Sequence, residues 1–160
     1  SHVYKVSQSS LLDINSPLGP ISNYGKSKLS AEKKLSKLDE GFHSLSIARV
    51  FSVLDKSARE HFLFHGLLRS ARNKDFSPIP GLKNIRDFLS ASQVVNELVR
   101  LALSEEFPPM VNICSGEGRS IENIAREVFS SNGLEARLDE IHAVANDKFN
   151  KIIGVPTFFK

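Results

Sequence analysis

Cysteine occurs once in 160 residues, as Cys114, which excludes an internal disulfide. Its place in the apolar run Val111-Asn112-Ile113-Cys114 assigns it to packing. No apolar stretch approaches the roughly 20 residues that a membrane-crossing helix needs, and no charged start leads into the apolar core of a signal peptide. The expectation is a cytoplasmic chain without a membrane partner. Neither sign of charge dominates. The 21 basic and 18 acidic residues leave +3, and the basic residues are scattered rather than gathered into a nucleic-acid-binding tract. A small phosphorylated ligand suits the same mild balance, because a few well-placed Arg or Lys side chains satisfy a diphosphate. Repeats and low-complexity tracts are absent, as are a GxSxG nucleophile elbow and a carboxylate pair in a glycosidase-like context. His and Cys lack metal-ligand spacing. The exception is His61 and His65, four apart on an apolar helix, and that reads as packing. Missing too is the glycine-rich turn between a first strand and helix that grips a dinucleotide.

What is present is an ordinary globular composition, 41% hydrophobic and 24% charged, enough for one core. Residues 5 to 23, rich in Ser, Pro, Asn and Gly, read as a surface loop. A helix capped by Ser22 follows, with Leu29, Ala31, Leu35 and Leu38 at helical spacing and a stop at Gly41. Leu45 to Phe51 reads as a strand, and Phe62 to Arg72 as a helix apolar most of the way round and therefore well buried. Short β-prone pieces at 76–80 and 85–89 precede a third helix on Val94, Val95, Leu98, Val99, Leu101 and Ala102. A strand at 111–114, the turn Ser115-Gly116-Glu117-Gly118 and a Ser120-capped helix follow. This order predicts an α/β fold: residues 1–75 form the tail of a doubly wound, Rossmann-like layer, and 76–160 a smaller α/β substrate-binding lobe.

The most informative constellation is Tyr24-Gly25-Lys26-Ser27-Lys28 at the start of the first helix. Tyr24 and Lys28, four apart, project from one helical face, so their heads can meet. A phenol is a poor acid or base at neutral pH, and a neighbouring ammonium favours the phenolate. Proton exchange with an alcohol or carbonyl is the chemistry such a pair serves. Alone the spacing is common, and an exposed helical Tyr is the plainer reading.

The surrounding run from Ser16 to Lys33 resembles the active-site loop and helix of the extended short-chain dehydrogenase/reductases, the NAD-dependent epimerase/dehydratase family that modifies nucleotide sugars. The resemblance implies that Tyr24 is the catalytic acid/base and that Lys28 also holds the nicotinamide ribose. Ser46 to Ser52 is similar to the strand that follows the catalytic helix in that family, with Ser52 where Asn is usual in the sugar pocket. Ile85-Arg86-Asp87-Phe88-Leu89 resembles the strand whose Arg approaches the substrate diphosphate, a role that guanidinium's planar fork suits. The competing reading of Arg86 is a local ion pair with Asp87 or another acid. Val111 to Ile121 resembles a late strand and turn, which gives the glycines a structural role rather than phosphate binding. Asn146 to Pro156 resembles a closing helix and Gly-x-Pro.

Taken together, the resemblance implies the carboxyl-terminal portion of such a protein, with a nucleotide-sugar substrate, NAD or NADP, and a homodimer. The assisting hydroxyl expected near Val3-Tyr4 is not clearly supplied, because Ser1 falls one position late. Two readings follow. The chain is part of an epimerase, dehydratase or reductase, inactive without its cofactor-binding half, or it is a non-enzymatic remnant or interaction module of the same fold.

Overall fold

The computed structural model describes residues 2–5, 9–38, 45–55, 62–146, 148 and 150–157. Helix α1 (Asn23–Leu38) begins where Ser22 Oγ accepts from the Gly25 amide at 3.0 Å, satisfying one of the amides a helix start leaves free. Strand β2 (Ile47–Val50) pairs in parallel with β5 (Met110–Ile113), and α3 (Ala91–Leu103) contributes Leu101 and Val94 to the core beneath them. Ser90 and Gln93 close a capping box at the start of α3.

The second sheet has the order β1–β7–β4–β3 and is parallel along that path: β1 (Ser9–Leu12), β7 (Lys151–Gly154), β4 (Ile85–Leu89) and β3 (Ser52–Val53). A short antiparallel strand, β6 (Gly118–Ser120), adds to β4 and leads straight into α4 (Ile121–Ser130), capped by Ser120 Oγ on the Asn123 amide at 3.0 Å. Each sheet draws strands from both sides of residue 75. The largest core lies between α4 and α2 (Leu63–Arg72), where Leu67 and Ala71 meet Ile124, Val128 and Phe129.

The fold is thus α/β with a largely parallel sheet. Four local expectations need correction. The 5–23 loop contains β1, whose Ser-rich text has no strand pattern of its own and is held by pairing with β7. The expected closing helix is strand β7 at 151–154, where consecutive Ile152 and Ile153 suit a strand flanked on both sides; Asp147 and Phe149 lie outside the described residues. The segment 76–80 makes a single bridge, Ile79 to Ala143, rather than a strand. Helix α2 buries only Leu67 and Ala71, because it packs along one face against α4. His43, His61 and Gly41 lie outside the described residues.

Candidate active site

Tyr24 and Lys28 meet as their spacing requires. Lys28 Nζ stands 5.3 Å from the centroid of the Tyr24 ring, within cation–π range, and the ring is 58% exposed at the mouth of a cleft of 310 Å³. On its other side Tyr24 meets His2, edge to face at 5.3 Å between centroids. Gly25 makes this approach possible. A Cβ there would collide with the His2 carbonyl oxygen and stand 2.8 Å from Pro20 Cβ, so only glycine lets segment 2–5 lie against the helix start. Partial burial lowers the His2 pKa, and the positive charge of Arg86 acts in the same direction.

Arg86 is half-buried on β4, and burial lowers its pKa. Its Nη1 donates to its own Ile85 carbonyl at 2.9 Å and to Asn150 O at 3.2 Å, and among the described residues it forms no ion pair. The expected alternative, pairing with Asp87, fails because successive strand residues face opposite ways. Asp87 is fully buried on the far face. Its carboxylate accepts from the Ser115 amide at 2.8 Å, Ser115 Oγ at 2.7 Å, the Gly116 amide at 2.9 Å and the Gly154 amide at 3.2 Å. These bonds consume amides of the glycine-rich turn, where Gly116 sits at φ +82, and give that turn a structural role. A half-buried guanidinium without a carboxylate is suited to an anionic ligand. Ser52 pairs with Phe88 and therefore shares a sheet face with Arg86. Ser1 lies outside the described residues.

Cys114 packs near Gly154. Burial, then the charge of Asp87, pushes its thiol up to about 12, consistent with packing. A larger cleft of 490 Å³ lies between α3 and the end of β5. Three of its side chains are engaged in structural bonds: Gln93 caps α3, and Arg100 pairs with Glu97 at 3.0 Å.

Sequence reasoning missed a buried network behind Tyr24. Arg49, 4% exposed, donates from Nη2 to Glu32 Oε2 at 2.8 Å and from Nε to both Glu32 oxygens at 3.2 and 3.3 Å. Its Nη1 donates to Tyr4 Oη at 3.0 Å and to Ile14 O at 3.3 Å. Tyr4 Oη in turn donates to Asn112 Oδ1 at 2.6 Å. Burial opposes the Arg49 cation, but the bonds to Glu32 and Tyr4 outweigh it and raise its pKa. Burial raises the Tyr4 phenol against the pull of Arg49. One signal was available: an Arg in the middle of an apolar strand has to find a buried acid.

No family model matches the chain. GDP-6-deoxy-D-talose 4-dehydrogenase from Aggregatibacter actinomycetemcomitans is 25% identical over 158 residues, 97% of this chain and 53% of that protein. An NAD-dependent NDP-hexosamine 5,6-dehydratase involved in tunicamycin biosynthesis superposes with a TM-score of 0.73 at 25% identity, over 98% of this chain and 51% of its own. UDP-glucuronic acid 4-epimerase from Bacillus cereus, in complex with NAD, shares the fold at a TM-score of 0.79 and 21% identity, with 98% and 50% covered. The chain spans about half the length of these relatives. In motifs, sequence and fold the chain is similar to the extended short-chain dehydrogenase/reductases of the NAD-dependent epimerase/dehydratase type, over about half the length of such proteins.

Proposed function

We propose that this chain is the carboxyl-terminal, substrate-side portion of an NAD- or NADP-dependent enzyme that epimerises, dehydrates or reduces a nucleotide sugar. The observation that carries this reading is the meeting of Lys28 and His2 with the Tyr24 ring at the mouth of one cleft. Tyr24 is the acid/base that exchanges a proton with a sugar hydroxyl or carbonyl. The Lys28 ammonium lies against its ring, within reach of a group bound at the phenol. Arg86 binds the substrate diphosphate with a guanidinium that no carboxylate neutralises among the described residues, and Ser52 contributes a hydroxyl to the sugar pocket. Residues 1–75 supply the catalytic helix and 76–160 most of the substrate side, the two stretches sharing strands in both sheets.

A nicotinamide would supply the hydride. The described residues fit only its reacting end, through Lys28 beside Tyr24. Nothing among them suits the pyrophosphate, because the amides of the glycine-rich turn are bonded to Asp87. On this reading the span alone is expected to show no turnover.

The test is a protein in which a related nucleotide-binding half is joined to this chain. Tyr24→Phe keeps the ring and removes the proton, so turnover should fall roughly 10²-fold or more while substrate binding survives. Arg86→Ala should instead weaken nucleotide-sugar binding, with KM rising far more than kcat falls. Wild-type turnover in Tyr24→Phe removes the assigned role. A second reading, a non-enzymatic interaction module, draws support from the apolar face of α3, where Val95 and Val99 are about half exposed and Leu103 is 79% exposed. Nucleotide-sugar turnover by the joined protein would exclude it.

A further inference from the structure

We propose that Arg49 is a positioning residue that sets the geometry around Tyr24 from behind, a role that rests on the acid/base reading of Tyr24. Tyr24, Lys28 and Glu32 stand at successive four-residue steps along α1 and line the same cleft, so what holds Glu32 holds the rotation of the helix that presents Tyr24. Arg49 grips Glu32 with two nitrogens, Nε and Nη2, a forked contact that a single-point cation cannot reproduce. Its remaining hydrogen-bonding nitrogen, Nη1, reaches Tyr4 Oη and Ile14 O, and the guanidinium carbon lies 4.8 Å from the Tyr4 ring centroid. Tyr4 is anchored onward to Asn112 on β5, and it lies two residues after His2.

One guanidinium thus ties down both partners of a single contact. Through Glu32 it fixes the helix that carries Tyr24, and through Tyr4 it fixes the segment that brings the His2 ring against Tyr24. A buried Arg–Glu pair is a poor source of stability, because removing two charges from water costs about as much as their attraction returns, and apolar residues of similar size often do as well. What the pair supplies is direction. Arg49 lies 2% exposed by side chain and Glu32 13%, so water does not loosen the fork.

The positioning is read directly on the 160-residue chain by nuclear magnetic resonance, without turnover. It has only two tyrosines, Tyr4 and Tyr24, so ring-labelled tyrosine gives resolvable signals. In Arg49→Lys and in Glu32→Gln, the cross-peak between the Tyr24 and His2 rings should fall at least fivefold. The Phe76–Phe129 contact in the main core, 5.2 Å between centroids, should keep its intensity. A His2–Tyr24 cross-peak of unaltered strength in either folded variant overturns the proposal. So does equal loss at Phe76–Phe129, which would mean a general structural role. Should neither variant fold, the unaltered chain decides: a slowly exchanging Arg49 Nε proton with a cross-peak to the Glu32 side chain supports the clamp, and free exchange overturns it. The two readings fail separately. Loss of the His2–Tyr24 contact together with full turnover in the joined Tyr24→Phe protein would keep the clamp and remove the acid/base role.

Discussion

Side chains in this fold divide by whether their charge is answered inside the protein. Asp87 is answered by four donors and Arg49 by Glu32 and Tyr4, whereas Arg86 receives only carbonyl oxygens. Structural groups are satisfied internally, and the proposed ligand-binding role of Arg86 rests on its being left incomplete. Cys114 belongs to the first kind. With its thiol pushed up to about 12, it should alkylate at pH 8 at least about 10-fold more slowly in the native chain than in urea, because the thiolate is the reactive form. Its linkage to stability has a definite sign. Above about pH 8.5 the unfolded thiol loses its proton while the folded one keeps it, so stability falls as pH rises toward 12. Urea midpoints of Cys114→Ala at pH 8, 9 and 10 should decline less than those of the unaltered chain; parallel declines would contradict this. The Tyr4 phenol, also raised by burial, adds a loss of the same sign at still higher pH.

The start of α1 shows how a helix terminus and a neighbouring segment are fitted together. Ser22 caps the helix, Gly25 leaves room for the His2 carbonyl, and Leu29 packs behind them against the cluster of Val3, Tyr4, Leu12 and Phe51. Gly25→Ala suits the helix by propensity, yet its methyl group must displace the His2 backbone. The expected result is a net destabilisation of roughly 1–3 kcal/mol, read from urea unfolding, together with loss of the His2–Tyr24 contact. A more stable Gly25→Ala chain would show that segment 2–5 can move away freely. At the start of α4, Ser120→Ala removes a cap without touching the site, and should cost about 1 kcal/mol with the Tyr24 contacts intact.

At the scale of the molecule, β2 and β5 form a parallel pair of two strands among the described residues, although parallel sheets are ordinarily wider and covered on both faces. The apolar face of α3 and the half-exposed Leu35 of α1 add open surface nearby. Such surface predicts self-association of the isolated chain, to be seen as a concentration-dependent mass in light scattering; a strict monomer at high concentration would count against it. The same chain should bind neither NAD nor NADP detectably in a calorimeter, whereas the joined protein should bind one of them. Micromolar affinity in the isolated chain would mean that its own residues complete a pyrophosphate site.

Local chemistry made part of this legible from the amino acids alone. Helix caps at Ser22 and Ser120, the α/β alternation and the meeting of Tyr24 with Lys28 depend on residues within about four positions of one another, and backbone geometry settles such neighbours without help from the rest of the chain. The run from Ser16 to Lys33 likewise carries its resemblance in consecutive residues. Strands β1 and β7, the bonding of Asp87 to the Ser115–Gly116 turn and the Glu32–Arg49–Tyr4–Asn112 network were decided only by the tertiary structure. In each case the partner lies far along the chain, and sheet register and burial, rather than local propensity, determine which groups face each other.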